Sequence, residues 1–343
     1  MSFPTQPEAL STDWLSQVLG KSVSKFEVER FGEGAGIIGQ VTRVHYTDEQ
    51  GDATLIAKFA SPAEENRAVA ATYSMYEREV NFFSKFSGQV AIRTPECYHA
   101  EFDAESQFFV ILMEDIGDMR IGDQVAGCSE AEAALLVQRL AEFHASTWDQ
   151  ALDLPSHNNP AQRDGMMGGF GVGWPVVCEQ FPEFIPADGD NLGEAIPAAV
   201  PKLLELMTVA PVSMCHADVR LDNVFFGDND IALVDWQSVC TSAPEQDLAY
   251  FVTQSLSTEV RNAQDWVALY HQVLQKAGVT DYELETCRQR YRVCALYLCC
   301  YATIIAGTLD LGNERGQALG RTLFGNAMTS LKELDAFALL DDL

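Results

Sequence analysis

The segment that most constrains this chain runs from Met214 to Trp236, with the sequence MCHADVRLDNVFFGDNDIALVDW. Two short apolar runs flank the turn Gly227–Asp230 and predict a β-hairpin, with Val224–Phe226 and Ile231–Val234 as its arms. A polar loop precedes the hairpin, and the carboxylate of Asp235 follows its second strand. Any fold for this chain must therefore support a polar loop and a strand-end carboxylate around one hairpin.

The polar loop carries His216, Asp218 and Asn223 at the spacing H-x-D-x-x-x-x-N. Asp218 and Asn223 lie on one loop, so both side chains can point into a single cleft. This order of residues, followed by Asp235, is typical of phosphoryl-transfer enzymes, in which an Asp orients a hydroxyl and an Asn and a second Asp hold magnesium. Arg220 is placed to meet phosphate oxygens. The alternative is that these residues only form turns and caps, as Asp and Asn often do.

The runs CHADVRLDNVFF, ALVDWQSV and APEQDLAYFV resemble the aminoglycoside/choline kinase superfamily, nearest its ecdysteroid-kinase-like branch. By the order of its motifs, the resemblance extends over about residues 25–330. It implies an α+β, protein-kinase-like bilobal fold. The amino-terminal lobe would be an antiparallel sheet over residues 1–113. The carboxy-terminal lobe would be mainly helical over residues 114–343, with an acceptor-site insertion at 150–200.

The resemblance also implies an activity, the transfer of the γ-phosphate of ATP to a hydroxyl group of a small molecule with Mg²⁺ as cofactor. Asp218 and Arg220 would be the catalytic residues. Asn223 and Asp235 would hold the metal. The sequence leaves open whether ATP or GTP is the donor and which oligomer forms.

A glycine-rich turn at residues 32–36 separates two predicted strands and would cover the nucleotide phosphates, with Gly34 and Gly36 as its contacts. By itself such a run also fits a plain hairpin loop. Its context favours phosphate binding, because Lys58 follows in the strand Leu55–Phe59, a pattern close to the V-A-I-K strand of kinases. A lysine facing solvent from a strand is the alternative.

Lys58 needs a carboxylate to orient it, and the helix predicted at Asn66–Phe86 offers Glu77 and Glu79. Glu79 shares the apolar face of that helix, whereas Glu77 does not, so we predict Glu79 as the partner.

The segment from Ile111 to Gly117 changes from apolar to acidic residues and glycine. The resemblance places the hinge between lobes here, with the nucleotide base against the backbone of Glu114 and Ile116 and with Met113 lining its pocket.

Composition excludes several classes of function. The net charge is −28, so the Lys and Arg clusters that bind nucleic acid or anionic membranes are not expected. The first 15 residues carry no apolar signal segment, and no run of about 18 apolar residues predicts a membrane span. We therefore expect a cytoplasmic protein whose nine cysteines are reduced, with the four at 287–300 in a helical core.

Further elements follow from periodicity and capping signals. Ser129 and Glu132 predict a capping box for a helix ending near Trp148. His144 in that helix is expected to pack or to hydrogen-bond near the 216–223 loop, and Asp247 to accept hydrogen bonds from that loop. The remaining predictions are a helix at 7–19, strands at 24–31, 39–46, 53–60, 96–102 and 107–113, and helices at 244–255, 257–277, 281–307 and 313–338.

The segment 150–190 bears on the acceptor. Its bulky side chains favour an apolar alcohol, such as a steroid-like or hydroxy-acyl compound; they are Met166, Met167, Phe170, Trp174 and Phe181. A choline-type or aminoglycoside acceptor is the alternative, since Trp174 beside a carboxylate can bind a cation. Acids are present but spread along the segment, at Asp164, Glu179, Glu183, Asp188 and Asp190.

Other functions fit less well. No D-F-G segment and no activation loop follow Asp235, because the chain runs almost directly into Ala243-Pro244-Glu245 and a helix. This argues against a protein kinase. A nucleotide-binding protein without catalysis would not need Lys58, Asp218, Asn223 and Asp235 together. A hydrolase would need a nucleophile elbow or a metal-binding helix signature, and the sequence has neither.

Overall fold

The computed structural model describes residues 3–31, 38–187, 189, 191–309 and 311–343. The chain forms two compact units. The first comprises Met1–Met119 together with Val234–Ser238, and the second comprises Arg120–Leu233 and Val239–Leu343. An antiparallel sheet dominates the first unit and helices dominate the second, which confirms the predicted α+β fold.

The sheet of the first unit has five antiparallel strands in the order β1-β2-β3-β5-β4. Alternate side chains of the central strand, Leu55, Ala57 and Phe59, are buried in one hydrophobic core. Lys58 points to the other side of the sheet because successive strand residues face opposite sides. The strands are β1 Lys25–Arg30, β2 Gly39–Asp48, β3 Gly51–Ala60, β4 Cys97–Asp103 and β5 Phe108–Glu114.

In its described residues the first unit also has three helices: α1 Thr12–Leu19, α2 Glu64–Thr72 and α3 Met75–Lys85. The single helix predicted at 66–86 was wrong, because the chain breaks between α2 and α3 at Ser74, whose φ is +52°. The break gives α3 its own orientation, and its buried face includes Tyr76, Glu79 and Phe83. Helix α1 is shorter than predicted and begins at the Ser11 cap, after a short 3-10 turn at Pro7–Ala9.

The second unit contains eight helices among its described residues. They are α4 Glu130–Ser146, α5 Pro160–Gln180, α6 Leu192–Met207, α7 Glu245–Tyr250, α8 Thr258–Arg261, α9 Trp266–Lys276, α10 Leu284–Thr308 and α11 Glu314–Glu333. The capping box of Ser129 and Glu132 is present. The helix predicted at 257–277 is two helices, α8 and α9, because Asp265 caps a new start. Helix α7 continues as a π-helical turn at Phe251–Ser255.

The predicted hairpin is present in the second unit. Strands β8 Val224–Phe226 and β9 Ile231–Leu233 pair antiparallel, and the Gly227 N–H donates to the Asp230 carbonyl at 2.9 Å. A two-residue strand, β6 Arg120–Ile121, adds to β8. A separate pair, β7 Ser213–Cys215 and β10 Cys240–Ser242, leads into and away from the hairpin segment.

Helix α10 forms much of the core of the second unit, where Cys287, Cys294, Cys299 and Cys300 are buried as predicted. In the described part of the chain, it is the one helix long and apolar enough to cross a membrane by length and composition. Of its most apolar stretch, 61% is buried inside the structure, as in the core helix of a folded domain. All nine cysteines are free thiols.

Candidate functional site

In the first unit, one ammonium lies between two carboxylates. Lys58 Nζ donates to Glu79 Oε1 and to Asp235 Oδ1, each at 2.7 Å. Lys58 and Glu79 are buried, with 7% and 1% of their surfaces exposed. The predicted choice of Glu79 as the partner of Lys58 is confirmed, whereas Glu77 is exposed.

Asp235 reaches this cluster because the chain returns to the first unit at Val234–Ser238. The Trp236 ring stacks on Phe82 of α3, with centroids 3.8 Å apart and planes within 5°. Asp235 itself has a φ of +65°, and its second oxygen accepts from Gln237 Nε2 at 3.2 Å. The stacked Trp236 thus anchors the backbone that carries the Asp235 carboxylate.

The electrostatics of the cluster follow from burial and close charges. Burial lowers the pKa of Lys58, but the Asp235 and Glu79 carboxylates outweigh it and hold the pKa above its usual value. Burial raises the pKa of Glu79 to about 7; the Lys58 charge opposes this shift and the Asp235 charge adds to it. Lys58 is therefore a fixed positive charge at neutral pH, the property required to bind a phosphate group.

In the second unit, the loop from His216 to Asn223 brings together the predicted residues Asp218, Arg220 and Asn223. Asn223 Nδ2 donates to the Asp218 backbone carbonyl at 2.9 Å and to its Oδ2 at 3.1 Å. Arg220 Nε lies 3.7 Å from Asp218 Oδ1. Because the amide nitrogen of Asn223 is bound to Asp218, its amide oxygen is the atom left to act as a ligand.

The start of this loop is held by Asp247 in α7. Its carboxylate accepts the N–H of His216 at 2.7 Å and the N–H of Ala217 at 2.8 Å, as predicted for Asp247. Ala217 has a φ of +64°, a left-handed conformation that costs a residue with a side chain about 1–2 kcal/mol. The two hydrogen bonds that the buried Asp247 carboxylate accepts offset this strain.

His144 supports Asp247 from α4, in agreement with its predicted packing role. Its Nε2 lies 3.1 Å from Asp247 Oδ2, and its Nδ1 lies 2.7 Å from the Tyr270 hydroxyl. His144, Cys215 and Asp247 could by geometry also hold a metal ion. A hydrogen-bond network accounts for the group better, because both Asp247 oxygens already accept backbone N–H groups.

The other side of the loop is fixed by Gln124, which the sequence did not single out. Its buried side-chain oxygen accepts the Leu221 N–H at 2.8 Å, and the Gln124 backbone N–H donates to Asp222 Oδ1 at 3.1 Å. Gly122 precedes it, where a Cβ would lie 2.3 Å from the Leu221 carbonyl. A glycine two residues before a glutamine was the available signal, but nothing in the sequence linked it to a loop about 100 residues later.

The predicted base-binding residues lie at the end of β5. Met113 and Ile116 are buried, and the Ile116 carbonyl accepts the Met119 N–H at 2.9 Å. The Glu114 N–H donates to the Glu96 carbonyl at 2.8 Å, so this donor already serves the sheet. The role of these three residues stays a prediction. Gly34 and Gly36 lie outside the described residues.

The segment 150–190 differs from expectation. Most of it is helix α5, whose residues Met166 and Phe170 are buried inside the second unit, as is Phe181 just after the helix. Trp174 stacks on Phe170 with centroids 5.2 Å apart. Met166, Phe170 and Phe181 thus pack in the core of the unit, whereas Trp174 is half-buried. Their role in an acceptor pocket stays a prediction. Met167 is exposed.

Comparison with solved structures places the fold among small-molecule kinases. Choline kinase from Cryptosporidium parvum matches with a TM-score of 0.55 at 12% identity, covering 93% of this chain and 91% of that one. A choline/ethanolamine kinase family protein from Mesorhizobium loti matches with a TM-score of 0.51 at 15% identity, covering 98% and 95%. The GDP complex of wild-type aminoglycoside 2'-phosphotransferase-IIIa matches with a TM-score of 0.52 at 13% identity, covering 95% and 99%.

These likenesses define a protein-kinase-like fold of the aminoglycoside and choline kinase type, as the sequence predicted. The phosphotransferase enzyme family matches residues 34–285, which is most of the chain. The chain therefore belongs to the phosphotransferase enzyme family. No curated protein sequence matched it.

Proposed function

We propose that this enzyme transfers the γ-phosphate of ATP to a hydroxyl group of a small molecule. The observation that carries the proposal is the buried pairing of Lys58 with Glu79 and Asp235 at 2.7 Å. A lysine kept positive between two carboxylates is the part that kinases use to hold nucleotide phosphates. Membership of the phosphotransferase enzyme family supports the same chemistry.

Asp218 is the proposed base. It accepts the proton of the acceptor hydroxyl as the oxygen attacks phosphorus, and the bond from phosphorus to the leaving nucleotide breaks. Asn223 fixes one carboxylate oxygen of Asp218 at 3.1 Å, which limits its rotation. Arg220 adds a positive charge beside Asp218, and the chain supplies positioning and charge in place of covalent chemistry.

Asn223 and Asp235 are the proposed metal ligands. Mg²⁺ prefers hard oxygen ligands, and the amide oxygen of Asn223 and the carboxylate of Asp235 are ligands of this kind. When bound, the ion would neutralise charge on the phosphate oxygens. ATP is the proposed donor; the GDP bound to the related aminoglycoside 2'-phosphotransferase-IIIa makes GTP the second candidate.

Thermal unfolding with nucleotide tests the proposal. Millimolar Mg-ATP should raise the melting temperature of the wild-type protein, because a ligand of the native state stabilises it. Asp235→Ala should lose most of that rise, whereas Asp228→Ala, in the exposed hairpin turn, should keep it. A wild-type protein that shows no rise with Mg-ATP or Mg-GTP is not a nucleotide-dependent kinase.

For the acceptor, we propose an uncharged alcohol with an apolar body, of the steroid-like or hydroxy-acyl type, in preference to choline or an aminoglycoside. A cationic acceptor needs carboxylates gathered near Asp218. Of the acids considered, Asp164 and Glu179 are exposed on α5, Glu183 pairs with Arg321, and Asp188 and Asp190 lie outside the described residues. The charged partner of Asp218 is Arg220, which would repel a cation.

Competition between acceptor classes tests this preference. ATP turnover is measured with each class at low and at high salt. An uncharged alcohol should be phosphorylated with little salt dependence, since salt screens only charge interactions. Turnover confined to choline or aminoglycosides, and falling steeply with salt, would reverse the ranking. A rise in melting temperature with no turnover of any class would favour a nucleotide-binding role without catalysis.

A further inference from the structure

The residue that ends α7, Tyr250, has no role in the mechanism so far. It is 0% exposed, and its hydroxyl has no hydrogen-bond partner in good geometry within the described residues. A buried polar group without a partner costs about 1–3 kcal/mol, so such groups are rare unless they serve a purpose.

The surroundings of Tyr250 point to Asp218. Its hydroxyl is close enough to the Asp218 carboxylate for the two to interact electrostatically. Burial, with the Asp218 charge adding to it, raises the pKa of Tyr250 well above its usual value, so the hydroxyl keeps its proton at neutral pH. A protonated phenol next to a carboxylate is a hydrogen-bond donor.

The two oxygens of Asp218 are not equivalent. Asn223 Nδ2 lies 3.1 Å from Oδ2, whereas Oδ1 faces Arg220 Nε at the longer distance of 3.7 Å. One oxygen is thus held by a hydrogen bond and the other by a looser charge contact. A further donor is needed if the carboxylate is to keep a single orientation during proton transfer.

The Tyr250 ring is itself fixed. It packs edge-on to Tyr301 of α10, with centroids 6.2 Å apart at 60°. The Tyr301 hydroxyl accepts from Gln162 Nε2 of α5 at 2.7 Å. The π-helical turn Phe251–Ser255 begins at the next residue, and such turns are frequent at functional sites.

We propose that Tyr250 is a positioning residue for phosphoryl transfer, whose hydroxyl donates to the Asp218 carboxylate and holds it towards the acceptor hydroxyl. This inference rests on the proposed function. In the free enzyme the donor and the carboxylate are close but poorly aligned, as hydrogen bonds of catalytic groups often are before substrate binds. With the acceptor in place, Asn223 and Tyr250 hold one carboxylate from two sides.

The test is Tyr250→Phe, which removes one oxygen and keeps the ring. Because the acceptor is unidentified, the rate of Mg-ATP hydrolysis is measured, with water in the acceptor position. A hydrogen bond to a charged group is worth about 1.5–3 kcal/mol, so Tyr250→Phe should lower this rate about 10- to 100-fold. The dissociation constant of Mg-ATP should not change.

Two comparisons separate positioning from loss of structure. Tyr291→Phe removes the hydroxyl of another buried tyrosine, on α10 beside Arg261 and Glu333, and should hydrolyse ATP at the wild-type rate. In Asp218→Asn, adding Tyr250→Phe should cause little further loss, because the two groups act as one unit.

Three results would overturn the inference. One is an ATP hydrolysis rate of Tyr250→Phe within about twofold of wild type, below the loss expected for one hydrogen bond to a charge. Another is a double variant in which Tyr250→Phe lowers the hydrolysis rate of Asp218→Asn by the same factor by which it lowers the wild-type rate. The third concerns the proposed function itself: wild-type hydrolysis no faster than that of Asp218→Asn would mean that Asp218 is not the base, and Tyr250 would then have nothing to position.

Discussion

Replacing Asp247 by alanine removes the carboxylate that holds the start of the catalytic loop, His216–Asn223. Two backbone N–H groups lose an ionised acceptor, those of His216 at 2.7 Å and Ala217 at 2.8 Å. Each bond to a charged group is worth about 1.5–3 kcal/mol, so the free energy of unfolding should fall by about 3–6 kcal/mol. Asp247→Asn keeps one acceptor oxygen and should lose about half as much.

The effect on turnover can be worked out from Ala217. Its left-handed backbone costs about 1–2 kcal/mol, and without Asp247 the two hydrogen bonds that offset this cost are lost. The free energy of the catalytic conformation of the loop then lies about 1–2 kcal/mol above that of a relaxed conformation, so the catalytic conformation is the less populated one. Turnover should fall about 5- to 30-fold, since 1.4 kcal/mol corresponds to a factor of ten. Adding Ala217→Gly, which relieves the strain, should recover part of the loss.

Urea unfolding gives the stability, and ATP turnover at a temperature where each variant is folded gives the rate. The matched control is Glu245→Gln, a buried carboxylate of the same helix that pairs with Arg290 at 3.2 Å and accepts from Tyr282. This control should lose stability and keep its turnover. Equal loss of turnover in both variants, or wild-type turnover in Asp247→Asn and Asp247→Ala, would refute the assignment of Asp247 to the loop.

Two further predictions concern the charged groups of the two units. Asp218→Asn should lower turnover by roughly two to four orders of magnitude while the dissociation constant of Mg-ATP stays near wild type; turnover close to wild type would mean that another group takes the proton. Glu79→Gln removes a carboxyl whose pKa rises from 4.5 when unfolded to about 7 when folded, so the folded state binds more protons between these values. The free energy of unfolding of wild type, relative to that of Glu79→Gln, should therefore be greatest below pH 4.5 and fall by roughly 1–3 kcal/mol as the pH rises through 7. Urea unfolding of both proteins at pH 5 and pH 8 measures this difference. A difference that stays constant with pH would show that Glu79 is ionised throughout.

Local sequence patterns predicted the parts of the site that lie close together along the chain. The hairpin and the Asp218–Asn223 loop follow from spacing, and Glu79 follows from its place on the apolar face of α3. Periodicity is a good guide here because a strand or helix positions such residues within one element.

The parts that sequence missed depend on pairings between distant segments. Gln124 hydrogen-bonds to Leu221, about 100 residues later in the chain, and a role for Tyr250 follows only from its position close to Asp218. The bulky residues of α5 were assigned to acceptor binding because the glycine-rich sequence around them did not predict a helix. Phe170 of this helix is fully buried. No local pattern tells a side chain that lines a pocket from one that fills a core.

The most direct test of the central claim is a screen of hydroxylated metabolites with ATP and Mg²⁺, read by mass spectrometry. The account predicts at least one product heavier by a single phosphoryl group, formed together with ADP. Product should disappear when the metal is chelated and should fall by roughly two to four orders of magnitude in Asp218→Asn. Phosphorylated product that persists undiminished in Asp218→Asn, or no metal-dependent ADP formation with any acceptor or with water, would contradict it.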